Sequence, residues 1–249
     1  MSHELGIPTY WTGNNAKYAS DVSEYGYTAL EHANAWLWEG DAESQIHYFR
    51  TSHAAMIAAQ EQNLPASSYA KLLSWLQDTG KEYFVVTSNV DSAFLAAGFN
   101  EQHLYEVHGS YRYSQCLKFP EHGVYLTQPE LRNTPCVMCG GISRPNTMFF
   151  DDFFFRLDVE ERQREKYLAF RDKLSANDLI LELGVGTTVP RIREMAIQSH
   201  YIGNTPYLHI NPEYHPWNSP MTLLNPDPPT SPELWLNETI AEGFKTLHL

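Results

Sequence analysis

Three stretches of this 249-residue chain hold residue types with chemistry to offer. The first is Thr87-Ser88-Asn89-Val90-Asp91, which follows the apolar run EYFVV, with His108 further on in EVHGS. An asparagine and an aspartate at strand ends can bind a ribose, and a histidine can take a proton at neutral pH. Plainer uses exist for each: Asp91 as a helix N-cap, Asn89 as a turn former, His108 as a hydrogen-bonded core residue. The second stretch is Gly184-Val185-Gly186-Thr187-Thr188. Glycines there let backbone N–H groups approach a phosphate, and a helix starting near Pro190 adds its dipole. A strand-to-helix turn that needs glycine for geometry alone reads the same way. The third is Cys136-x-x-Cys139-Gly-Gly, two thiolates on a tight turn and half of a tetrahedral zinc site. Cys116 offers another thiolate upstream. Phe119 stands where a fourth is expected, and His122 can supply an imidazole instead. A metal-free turn held by packing accounts for the same residues.

These groups need elements to hold them. Ile46, Phe49, Ala54, Ile57 and Ala58 recur at helical spacing between Ala42 and Gln62. Tyr69, Leu72, Leu73 and Leu76 line one face of a second helix that Gly80 ends, and the β-rich EYFVVTS follows. VEERQREKYLAFRDKL reads as a charged amphipathic helix before the strand DLILELG, PYLHINP as a further strand, and MTLLNP as a short last one. NPDPPTSP is a loop, and a final helix is expected from about Glu233 to Thr246. Helix followed by buried strand is the order of α/β proteins with parallel sheets. Between Tyr111 and Pro145, where proline, glycine and the cysteines gather, the pattern breaks in favour of an inserted small module rather than sheet.

Composition removes several function classes. With 43% hydrophobic residues the chain can build a sizeable core, and 30 acids against 17 bases give a net charge of −13. No Lys/Arg stripe forms, so neither nucleic acid nor an anionic membrane is an expected partner. No apolar run has the length of a membrane span, and the N-terminus lacks a basic region followed by an apolar one. Three clustered cysteines are not a secreted disulfide framework, and the expected location is the cytoplasm.

Taken in order, the stretches resemble the sirtuin family of NAD-dependent protein deacylases. That family carries a glycine-rich GAG segment running into GIP-x-F-R, then T-Q-N-[IV]-D, HG, paired cysteines, RP-x-V-x-[WF]-F-G-E, GTS and a late I-N. The counterparts are Gly6-Ile7-Pro8, Thr87 to Asp91, Val107-His108-Gly109, Cys136 and Cys139, Arg144-Pro145, Phe149-Phe150, Gly186-Thr187-Thr188 and Ile210-Asn211. The resemblance implies a Rossmann-like NAD-binding domain over 1–110 and 146–249, with a helical module at 12–65. It also implies a small zinc-ribbon-like cysteine module at 111–145. It implies His108 as the base that takes a proton from a ribose hydroxyl. Asn89 and Asp91 would line the nicotinamide and ribose pocket, with Tyr10 covering it. Gly186, Thr187 and Thr188 would serve phosphate and ribose, and Asn211 the adenosine ribose. Zinc would sit on Cys116, Cys136 and Cys139 with a fourth ligand in question. The partner would be an acylated-lysine protein or peptide, added as a strand near Thr147 to Asp151.

The chain departs from that pattern in places. Tyr10 and Trp11 stand for the phenylalanine and arginine after GIP, Ser88 for a glutamine and Asp151 for a glycine. MSHELGIP reads as the second half of the glycine-rich motif, with its strand and turn expected upstream of Met1. The alternative is a chain that starts here and has lost full NAD chemistry. A protein ADP-ribosyltransferase, an NAD hydrolase and a catalytically impaired NAD-binding module are the rival expectations.

Overall fold

A computed structural model of the chain describes residues 1–5, 7, 24, 26–127, 135–186, 190–212 and 229–248. Tyr10, Thr187, Thr188 and the expected strand MTLLNP lie outside the described residues.

The helices begin where side chains can satisfy their first N–H groups. Thr28 and Glu31 cap α1 (Ala29–His32) reciprocally; α2 (Trp36–Gly40) follows. Asp41 then accepts from the Ser44 N–H at 3.1 Å and opens the long α3 (Ala42–Asn63). α4 (Ser68–Thr79) buries Tyr69, Leu72 and Leu76 and stops at Gly80, whose φ of 61° is the left-handed conformation glycine adopts without cost.

Of EYFVVTS only β1 (Val85–Thr87) is strand. It runs parallel to β2 (Leu104–Glu106), with α5 (Ala93–Ala96) as the crossover. β3 (Gly109–Cys116) then pairs antiparallel with both β4 (Val124–Leu126) and β5 (Ser143–Thr147). The inserted module is there, but it is built on sheet, which corrects the expectation from its proline and glycine content; Cys116 ends a strand, and Cys136 and Cys139 lie on a turn. Alternating Tyr111, Tyr113 and Gln115 suit a pleated ladder, and the breakers sit in its connections. After α6 (Asp158–Arg171) come β6 (Ile180–Leu183), α7 (Arg191–Gly203), β7 (Tyr207–Ile210) and β8 (Glu233–Leu236). β6, β7 and β8 form a second parallel ladder in that order. The final helix, α8, is Ile240–Thr246 alone. The β-forming Leu234, Trp235 and Leu236 prefer to pair with β7, and the capping box of Thr239 and Glu242 delays the helix until Ile240.

One core joins the two parallel ladders. Leu72 and Leu76 of α4 pack with Phe99, Leu208, Ile210, Ile240 and Phe244, and Val85, Leu183 and Leu236 lie against them. A second cluster, Trp38, Phe49, Met56, Tyr111 and Phe149, fixes the helical segment to the antiparallel ladder. No helix among the described residues is long and apolar enough to cross a membrane.

Candidate functional site

β1 and β2 end side by side, as parallel strands do, and their carboxyl ends place the polar residues in one crevice. The Val107 N–H donates to the Thr87 carbonyl at 2.9 Å, and the Tyr111 N–H to the Val90 carbonyl at 3.0 Å. Residues 88–91 and 107–111 are thereby laced together. Within this weave Asp91 is 8% exposed and its Oδ1 accepts from the Ala93 N–H at 3.0 Å. The N-cap of α5 is Ser92 rather than the anticipated Asp91, which steadies the helix entry from one residue earlier through this bond. Asn89 donates its own N–H to Thr87 Oγ1 at 3.1 Å and its amide to the Tyr69 hydroxyl at 3.5 Å.

His108 is half-buried where three elements meet. Its carbonyl accepts from the Met148 N–H at 2.8 Å, just past β5. Gly109 next to it has φ 73°, and a Cβ there would run into the Asn146 carbonyl, so only glycine allows β5 to come this close. Burial is the main influence that pushes the His108 pKa down. A hydrogen bond to the Ser88 backbone opposes that shift, and the Arg191 guanidinium reinforces it. A ring N–H tied to a carbonyl fixes the tautomer and leaves the second ring nitrogen as an acceptor.

Two neighbours escaped the sequence reading. Glu106 is buried beneath the crevice; burial raises its pKa to about 7, against the opposing hydrogen bonds of Ser110 and Gln163, and Asp91 adds to the rise. Its signal was a lone carboxylate inside the apolar run LYEV. Arg191, the first residue of α7, bonds the Tyr105 hydroxyl and brings a cation near His108.

Gly184, Val185 and Gly186 follow β6 on the other parallel ladder. Gly184 has φ 62°, and a side chain at Gly186 would meet no atom within 4 Å. Among the described residues the Gly186 end of the turn faces open space, while a Cβ at Gly184 would press on Ile240 at 3.3 Å; room at Gly186 fits a phosphate held on backbone N–H groups. Asn211, just after β7, donates its amide to the Val185 carbonyl at 2.9 Å.

Asp151 sits at φ 55°, the conformation that favours glycine and that aspartate tolerates better than most residues. Its neighbour Asp152 makes a buried bidentate pair with Arg144, at 2.7 and 2.9 Å.

At the far end of β3 the structure gathers Cys116, His122, Cys136 and Cys139, all ligand atoms lying within 4.8 Å of one another. Two of the separations are Cys116 Sγ to Cys139 Sγ at 3.9 Å and Cys136 Sγ to His122 Nδ1 at 3.3 Å. A tetrahedron with Zn–S bonds of about 2.3 Å has edges of about 3.8 Å, so this donor set fits zinc. His122 would take the fourth corner. Phe119 serves differently, donating its backbone N–H to Cys116 Sγ at 3.3 Å. Burial opposes ionisation of Cys136, but the Met138 and Cys139 backbone N–H groups and His122 overcome it and bring its pKa to about 6. Metal analysis of the purified protein is expected to give one zinc per chain, and Cys136→Ser to lose it with a fall in melting temperature. Each kcal/mol lost corresponds to about 2–4 °C in a chain of this size. A metal-free wild-type protein with an unchanged melting curve in chelator would refute this assignment.

The family model for the Sir2 family matches residues 1–189. The chain belongs to the Sir2 family. Among its relatives, NAD-dependent protein deacylase 2 of Pseudomonas syringae pv. tomato is 29% identical over 215 residues, covering 86% of this chain and 81% of the relative. A probable bifunctional ADP-ribose hydrolase/ADP-ribosyltransferase of Fusarium oxysporum f. sp. cubense is 39% identical over 97 residues, 38% of this chain and 15% of the relative. The fold is that of solved Sir2 structures. A Sir2 homologue mutant in complex with 2'-O-acetyl ADP ribose aligns with TM-score 0.64 at 19% identity, covering 99% of this chain and 86% of that one. Sir2Tm bound to a propionylated peptide aligns with TM-score 0.63 at 18% identity over 99% and 87%. The chain thus holds Asn89, Asp91 and His108 at the end of one parallel ladder, a glycine turn at the end of the other, and a Cys3His cluster.

Proposed function

We propose that this Sir2 protein is an NAD-dependent protein-lysine deacylase that transfers the acyl group to ADP-ribose and releases nicotinamide. The setting of His108 carries this reading: a histidine held neutral near pH 7, one N–H committed to Ser88 and one nitrogen left to accept. NAD, when bound, supplies the ribose carbon that receives the acyl oxygen as nicotinamide departs. Asn89 and Asp91 would hold the nicotinamide and ribose end. The Gly184–Gly186 turn would take phosphate through backbone N–H groups, with Thr187, Thr188, Asn211 and Tyr10 completing the set. His108 would take a ribose hydroxyl proton onto its second ring nitrogen.

An acyl-lysine peptide would add as a strand at the end of β5. The Phe150 N–H already donates to the Ala33 carbonyl at 2.8 Å, and its carbonyl accepts from the Ala35 N–H at 3.0 Å. Within the segment from Thr147 to Asp151 the backbone of Phe150 is therefore already paired to the helical segment and is not open to substrate.

Nicotinamide release with NAD, in the presence and absence of an acetyl-lysine peptide, tests the reading. Peptide-dependent release with formation of acyl-ADP-ribose is the expected result. Release without peptide points instead to NAD hydrolysis. Transfer of ADP-ribose to protein would favour the second reading, suggested by the stretch that is 39% identical to the Fusarium protein.

A further inference from the structure

Glu182 lies in the middle of β6 and Arg193 one turn into α7, and neither belongs to the motifs that carry the family resemblance. Both are buried, at 3% and 0% exposure. Burying an ion pair costs desolvation of both charges and is tolerable only when every donor and acceptor is matched. Here the matching is thorough. Glu182 accepts Arg193 Nε at 3.1 Å and Nη2 at 2.7 Å, the Tyr207 hydroxyl at 2.6 Å and His209 Nδ1 at 3.0 Å. His209 in turn meets Glu233 through Nε2 at 2.9 Å and stacks on Trp235 with centroids 3.6 Å apart.

The guanidinium is planar, so a carboxylate that grips Nε and one Nη2 hydrogen sets the direction of the other Nη2 hydrogen. That hydrogen goes to the Val185 carbonyl at 2.9 Å. Asn211 donates to the same oxygen, and the Gly184 N–H is tied to the Ile210 carbonyl at 2.9 Å. Val185 is the middle residue of the glycine turn. Its peptide is thus gripped from α7 and from the end of β7 together, by an arrangement far more demanding than a strand-to-helix connection requires.

We propose that Arg193, oriented by Glu182, is a positioning residue for the dinucleotide: through the Val185 carbonyl it fixes where the turn presents the backbone N–H groups of Val185 and Gly186 to phosphate. Arg193 itself is fully buried and reaches the turn through its bond to Val185. This inference rests on the reading of that turn as the NAD phosphate site.

The test is the affinity of ADP-ribose by titration calorimetry, together with KM for NAD and kcat. Arg193→Met alone leaves the Glu182 carboxylate with one partner fewer and could compromise folding. Glu182→Gln combined with Arg193→Met removes both charges, keeps an acceptor for Tyr207, and takes away the donor to Val185. The double variant is expected to melt cooperatively, to bind ADP-ribose at least tenfold more weakly, and to raise KM for NAD by a similar factor with kcat within about threefold, since positioning of the bound phosphate acts on binding. A purely structural pair would lower the melting temperature and leave the affinity of the folded protein unchanged. Wild-type affinity in a folded double variant overturns the inference while the proposed function stands. A folded wild-type chain that binds neither ADP-ribose nor NAD overturns both.

Discussion

His108→Ala is expected to lower peptide-dependent deacylation by about 10²–10⁴-fold, the usual worth of a positioned general base, and to leave ADP-ribose binding within about twofold. The asymmetry follows from geometry. His108 is held by its neighbours rather than by ligand-binding groups: its carbonyl by Met148 and its ring by Ser88. Alanine at this position keeps the backbone pairing and empties only the ring's place. A pH profile adds an independent check. A base acts when neutral, and burial moves this histidine below its ordinary 6.5, helped by Arg191 and opposed by Ser88. The acid limb of kcat/KM should therefore have its inflection below pH 6.5, with activity flat through neutrality. Deacylation that survives His108→Ala, or an inflection above 7, would remove His108 from its role.

The second large effect concerns stability. Asp152→Ala is expected to cost about 3–5 kcal/mol, because it strands the Arg144 charge in the interior. The side chains are 2% and 1% exposed, and they share two hydrogen bonds. Asp152 also receives the Phe149 N–H at 3.3 Å and the Phe154 N–H at 3.0 Å, so it organises the turn beyond β5 as well as pairing Arg144. Arg144 lies 5.2 Å from the centre of the Phe149 ring, which offers its face but cannot replace a carboxylate. Against a typical total of about 5–15 kcal/mol such a loss leaves the chain close to unfolding at room temperature. Chemical denaturation of wild type and variant measures it directly. A difference under about 1 kcal/mol would mean that water or another group reaches Arg144, contrary to its burial. Arg144→Met together with Asp152→Asn should recover much of the loss, since it removes both charges and leaves the asparagine Oδ1 as an acceptor for the backbone N–H groups.

Periodicity made the long helices legible. Ile46, Phe49 and Ile57 announced α3, and Tyr69, Leu72 and Leu76 with Gly80 announced α4 and its end. β6 and β7 of the second parallel ladder were legible too, because Leu181, Leu183, Leu208 and Ile210 put an apolar residue at every second position and share one face of the sheet. β8 was not. Four residues, Glu233 to Leu236, are too short to distinguish a strand from a helix start, and only pairing with β7 decides it. The cysteine module misled for a related reason: breakers in its loops outweighed the alternation of β3. At the crevice, His108, Asn89 and Asp91 could be picked out as polar residues at strand ends. Spacing cannot reveal Glu182, His209 and Arg193 as a unit, since they meet only after three elements fold together. A trace exists all the same. Glu182 between Leu181 and Leu183, and His209 between Leu208 and Ile210, are charges in runs that a core would otherwise fill with aliphatic residues.

β3 and β5 have a further property. Cys116 faces Ser143 at one end of their pairing, and Gly109 faces Thr147 at the other, beside His108. Two struts thus run from the thiolate cluster to the crevice, and the shift of register between Ser110 and Ser114 is the slack between them. In mechanical terms the cluster is a clamp and His108 sits at the free end of the beam. If His108 is the base proposed above and the cluster takes a metal, loading the clamp would be felt at the base through backbone pairing alone, with no contact between the two.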